Sequence, residues 1–100
     1  MTDQPIAIEL IREGAKGRYV ATLEGNAEPA ELTFSIASET LVIADHTGVP
    51  DSLRGTGVGL ALVERLVADA RAGGFLILPL CPFVNAQRRK HPEWADAFKT

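Results

Sequence analysis

The stretch from Leu53 to Arg71, reading LRGTGVGLALVERLVADAR, constrains the fold more than any other part of the chain. Gly55, Gly57 and Gly59 alternate with Thr56 and Val58, a run that can turn tightly and let a ligand approach the main chain. Val58, Leu62, Val63, Leu66, Val67 and Ala70 then recur at three- and four-residue steps, the signature of a helix with one buried face. Glu64, Arg65, Asp69 and Arg71 lie mostly off that face, and Gly73-Gly74 ends the helix. The first turn of such a helix leaves N–H groups unpaired at the positive end of its dipole, where an oxyanion is a fitting partner. A solvated turn that merely starts a helix has the same composition, and the glycines alone do not separate the two readings. The third glycine comes one residue too soon for the dinucleotide fingerprint, and the Gly-Lys-Ser/Thr ending of the ATP-type loop is absent.

Ahead of this unit the pattern is β. Ile6 to Arg12 and Arg18 to Glu24 alternate around a turn at Gly14-Ala15-Lys16-Gly17, which predicts a hairpin. Leu32, Phe34 and Ile36 share one face of a third strand, and Thr40 to Thr47 makes a fourth. Short connections join all four, as in an antiparallel meander. Phe75 to Leu80 reads as a largely buried strand parallel to the fourth, reached through the helical crossover. The expected fold is α/β (α+β), a mixed sheet of about five strands with the main helix across one face. Asn85 is expected to cap a short helix over Ala86 to Lys90, and Pro92 to open another through Phe98. Trp94 and Phe98 share a face that either docks on the sheet or walls a site. Met1 to Pro5 is polar and expected to fray.

A chain of 100 residues with 46% apolar side chains is expected to form a single domain over 1–100. The single cysteine cannot form an internal disulfide, and neither a leader pattern nor a long apolar span is seen. These features lead us to expect a cytoplasmic protein with no membrane and no metal site. A net charge of −3 argues against a broad nucleic-acid surface. Arg88-Arg89-Lys90 is either a solvated helix face or a local anion site.

Arg54-Gly55-Thr56-Gly57-Val58-Gly59 resembles Arg/Gln-x-x-Gly-x-Gly/Ala, the pyrophosphate-binding signature of the Gcn5-related N-acetyltransferases. A short subfamily adds His-Thr-x-Val before that arginine and Cys-Pro-Phe-Val after the next strand; this chain has His46-Thr47-Gly48-Val49 and Cys81-Pro82-Phe83-Val84 in the same order. The resemblance spans roughly residues 7 to 99. It implies a minimal acetyltransferase-like fold, acetyl-coenzyme A as cofactor and an amine acceptor, small molecule or protein. By the same resemblance, Arg54, Gly55, Thr56, Gly57, Val58 and Gly59 take the pyrophosphate, and the Thr47 to Val49 main chain takes the pantetheine arm.

Ligands of open α/β sheets sit beyond the carboxyl ends of the strands, so His46 to Val49 and Leu80 to Phe83 are expected to flank one crevice. Cys81 is a candidate nucleophile towards a thioester, forming an acetyl-enzyme; its other reading is a buried structural thiol. Direct attack by the amine is the alternative chemistry. His46 is a candidate general base or a structural hydrogen-bonding group, and alternation sets Asp45 on the opposite side of the strand from it. Gly48 stands where the small family usually carries glutamate, and the two helices and the final strand pair of larger relatives are missing. The acceptor site is then open, shared across a dimer, or lost, and a non-catalytic acyl-CoA-binding or interaction module is the rival reading.

Overall fold

Gly14 takes φ +60° in the two-residue turn Gly14-Ala15, a conformation that suits a tight hairpin, and it sets Glu13 opposite Lys16. The computed structural model describes residues 6–99; the expected fraying of 1–5 lies outside the described residues. The hairpin strands are β1 (Ile6–Glu13) and β2 (Lys16–Leu23), followed by β3 (Ala30–Ser38) and β4 (Leu41–Gly48). A 3₁₀ turn at Asp51–Leu53 leads to helix α1 (Val58–Gly73) and then β5 (Leu76–Pro79). Helix α2 (Pro82–Lys90) and a 3₁₀ segment, Pro92–Ala97, complete the chain. The sheet order is β1-β2-β3-β4-β5, antiparallel throughout except for the parallel β4–β5 pair. This is the expected meander with one helical crossover.

Among the described residues, the buried core lies on one face of the sheet. Tyr19, Ala21, Leu32, Phe34, Val42, Ala44 and Ile77 point towards α1 and are buried against Val58, Leu62, Val63, Leu66, Val67 and Ala70. The helix ends as its sequence predicts: Gly74, at φ +74°, donates its N–H to Ala70 O at 2.9 Å. Tyr19 donates its hydroxyl to Asp69 at 2.7 Å, and Arg65 pairs with the same carboxylate while lying 5.4 Å from the Tyr19 ring centroid. Burial first, and the Asp69 hydrogen bond second, push the Tyr19 hydroxyl pKa well above its ordinary value.

Two expectations need correction. Helix α2 begins at Pro82 with Cys81 as its N-cap, four residues before the proposed start at Ala86. Proline fits the first helical position because its missing N–H has no partner to lose there. Alternation along β4 also fails: Phe34 pairs with Ala44 and Thr33 with His46, so Asp45 is an extra residue in a β-bulge. Asp45 and His46 therefore both face away from α1, Asp45 bonded to Ser35 and His46 paired with Thr33.

Trp94 and Phe98 are 7% and 6% exposed and dock on the core. Arg71 clamps their segment to α1, donating to Asp96 at 2.8 and 3.1 Å and to Glu93 O at 2.9 Å. That guanidinium holds the Asp96 carboxyl below its usual range. Phe98 bridges to Ile77, and the Lys99 N–H donates to Ile77 O at 2.9 Å along the outer edge of β5. Among the described residues, no helix is long and apolar enough to cross a membrane.

Candidate functional site

Parallel pairing of β5 with β4 runs from Leu41–Leu76 to Ala44–Pro79, and the Cys81 N–H adds one bond to Ala44 O at 2.9 Å. Leu80 turns away, its N–H returning to Leu78 O, and α2 leaves the sheet at Cys81. From Asp45 onwards β4 continues without β5 beside it. Proline at 79 and 82 contributes, since neither residue can donate to a ladder.

A cleft of about 590 Å³ opens at that divergence. One wall is the end of β4, from His46 to Val49; the other is the loop and first turn of α1, from Leu53 to Leu60, with Phe83 of α2 closing the side. The expected site residues His46, Thr47, Val49, Arg54, Gly55, Gly57, Val58 and Gly59 all line it.

The three glycines do different work. Gly55 at φ +80° and Gly57 at φ +87° hold left-handed conformations that an L side chain adopts only under strain, and beyond the chain neighbours a Cβ on either would meet no atom of the described residues within 4 Å. Gly59 lies inside α1, where a Cβ would come 2.8 Å from Phe83 Cζ and 3.4 Å from Val49 Cγ2. Its hydrogen lets Phe83 and Val49 close on the helix. The first intrahelical bond is from Ala61 N–H to Gly57 O, and among the described residues no side chain caps the start of α1. Val58, Gly59 and Leu60 therefore present their amides at the helix start, Val58 keeping only a 3.4 Å contact with Thr56 Oγ1.

Thr56 does not line the cleft; it donates its hydroxyl to Leu53 O at 2.6 Å and braces the loop. The Arg54 guanidinium is 76% exposed and rests on Asp51 at 3.0 Å, a surface pair that an arriving anion can displace at little cost. Cys81 is 2% exposed, with Sγ 3.3 Å from Thr47 Oγ1. Thr47 stands in the cleft wall and the thiol sits behind it. His46, by contrast, is exposed at the cleft margin, and a Cβ on Gly48 would lie 3.7 Å from its Nε2. Leu53 and Leu60 line the cleft without having been singled out from the sequence, and of the Leu80 to Phe83 run expected to flank it, Phe83 alone is among the lining residues.

The shape can hold an elongated ligand with an anionic end. Uncapped amides and Arg54 lie at one end, a bare strand edge runs along the middle, and an imidazole stands at the other end.

A family model described as GCN5-related N-acetyl-transferase matches residues 18–97. Among solved structures, the chain is similar to a GCN5-like protein from Staphylococcus aureus, determined in solution by NMR. The two share 31% sequence identity over 91% of this chain and 87% of that one, with a TM-score of 0.66. No curated protein sequence matches.

Proposed function

The chain belongs to the GCN5-related N-acetyltransferase family, and from that premise we propose that it acts as a single domain that binds acetyl-coenzyme A and passes the acetyl group directly to an amine. The observation that carries this reading is the meeting, around one cleft, of uncapped α1 amides with a strand edge that β5 leaves bare. The cofactor has matching parts in the same order: a diphosphate, an amide-bearing arm and a thioester.

In this reading the amides of Gly59 and Leu60, joined by Arg54, bind the diphosphate. The main chain of Thr47 to Val49 pairs with the arm as an added strand would. Val49 and Phe83 shield that arm from water. When bound, acetyl-coenzyme A supplies a thioester carbonyl open to nucleophilic attack. His46, exposed at the cleft margin, takes the proton that the incoming ammonium must lose. A covalent route through Cys81 would require its sulfur to turn out from behind Thr47, and direct attack requires no such movement. We therefore assign Cys81 to the packing behind the cleft wall and His46 to catalysis.

The deciding experiment is a coenzyme A titration of the ¹⁵N-labelled protein, followed by acetyl transfer to a panel of amines. Shifts confined to Gly55–Leu60 and Thr47–Val49 are expected, with turnover retained in Cys81→Ser and lost in His46→Ala. Undisturbed loop amides would overturn the cofactor assignment. Binding without turnover on any amine would favour a non-catalytic acyl-CoA-binding module. An acetyl adduct in the wild type that vanishes together with turnover in Cys81→Ser would restore the covalent route.

A further inference from the structure

His46 lines the cleft at the point where β4 is bulged. On the sheet face away from α1, a second cavity of about 490 Å³ begins at the neighbouring residue, Asp45, and runs across β3 and β2. The β4 bulge turns both Asp45, which lines the second cavity, and His46, which lines the first, to that face. Without the bulge, alternation would have set the carboxylate on the far side of the strand from the imidazole.

The charges in this second cavity are of both signs: Asp45 and Glu13, the latter opposite Lys16 in the hairpin, with Lys16 and Arg18. Ser35 donates to Asp45 Oδ2 at 2.7 Å and accepts from Lys16 Nζ at 2.9 Å, forming a row that ends in the carboxylate. The adjacent row runs from His46 through Thr33 to Arg18, each residue paired with the next across the strands. Arg18 is exposed, and among the described residues neither it nor Lys16 has a carboxylate within ion-pairing distance. Two strand spacings separate Arg18 from His46, about 10 Å between Cα atoms. A wholly cationic amine would meet two like charges here, and an apolar one would leave all of them unused. An amine that carries its own anion satisfies both ends.

We propose that the acyl acceptor is a small amino acid-like molecule lying across the open sheet face, its ammonium at Asp45 beside His46 and its carboxylate on the Arg18 guanidinium. The inference rests on the cofactor and reaction assigned above. Arg18 presents a planar fork that can take a carboxylate through two parallel hydrogen bonds, with Lys16 adding a point charge beside it. Arg18 thus acts on specificity, while Asp45 positions the amine next to the imidazole.

The test compares 6-aminohexanoate with n-pentylamine, the same carbon chain without its carboxylate, by NMR titration of the ¹⁵N-labelled full chain with and without coenzyme A. The expected result is shifts at Arg18, Thr33 and Asp45, with 6-aminohexanoate bound at least about tenfold more tightly, the scale of one charge-assisted hydrogen bond. Arg18→Gln should erase that preference and leave the coenzyme A shifts at Gly55–Leu60 unchanged, and Lys16→Gln should reduce it in part. Equal binding of the two amines, an unchanged preference in Arg18→Gln, or shifts outside this face would overturn the proposal and leave the cofactor assignment standing. Coenzyme A without effect, alongside 6-aminohexanoate bound at Arg18, would overturn the cofactor assignment and support the acceptor subsite.

Discussion

Replacing Gly57 by alanine separates backbone strain from crowding. The residue sits at φ +87°, and beyond its chain neighbours a Cβ there would meet no atom of the described residues within 4 Å, so the loss of stability comes from the left-handed conformation. That conformation costs an L-residue about 1–2 kcal/mol. At roughly 4–8 °C per kcal/mol for a chain of this length, the melting temperature should fall by roughly 4–16 °C. The open space that spares the protein a clash is also where the diphosphate is assigned. A methyl group that keeps one loop amide from its phosphate oxygen forfeits a charge-assisted hydrogen bond of about 1.5–3 kcal/mol, or roughly 10- to 100-fold in affinity. Calorimetric melting and titration with coenzyme A read the two quantities separately. Gly57→Asn, which tolerates the left-handed region better, should recover part of the stability but none of the affinity. An alanine variant that melts and binds like the wild type would refute both the strain argument and the assignment of the loop.

Gly59→Ala should behave differently: overpacking against Phe83 costs about 1–3 kcal/mol, and the gain in helix propensity returns about 1 kcal/mol of it. A double-mutant cycle with Phe83→Leu should then show favourable coupling, and strict additivity would mean that the ring does not close on this glycine. Tyr19 holds its proton more tightly folded than unfolded, so its contribution is complete below the unfolded pKa, about 10, and is lost as the pH rises above it. Denaturant midpoints of the wild type should accordingly fall between pH 9 and 11 more steeply than those of Tyr19→Phe, and parallel curves would count against that linkage. Asp96 is depressed by Arg71, so its contribution is present above the ordinary carboxylate pKa and disappears as acid titrates it. Arg71→Met should quicken hydrogen exchange at Trp94 and Phe98 while leaving coenzyme A binding unchanged, and unaltered exchange would show that the clamp is dispensable.

Features encoded by neighbouring residues could be read from the chain alone. The three- and four-residue spacing of Val58 to Ala70 and the glycines at 73 and 74 mark α1 and its end. Of the motif residues, His46 to Val49, Arg54, Gly55, Gly57 to Gly59 and Phe83 line the cleft. What escaped depends on partners distant in sequence. Nothing between Leu41 and Gly48 announces that Asp45 will be skipped, because the bulge arises from how Thr33 and Phe34 are paired. Cys81 looks equally suited to a site or a core, and the docking of α2 and the contact with Thr47 decide its burial. The helix began earlier than the Asn85 cap suggested because Pro82 is well suited to a first turn. Gly55, Gly57 and Gly59 look alike in the sequence, yet two serve conformation and the third serves the fit of an aromatic ring.

The short bridge between Phe98 and Ile77, with the Lys99 amide beside it, acts as a selvedge for the sheet. Strip it away and the last strand would offer its unpaired amides and carbonyls to any passing chain, the usual first step towards edge-to-edge aggregation. Fusions or truncations near Phe98 therefore threaten solubility before they threaten chemistry.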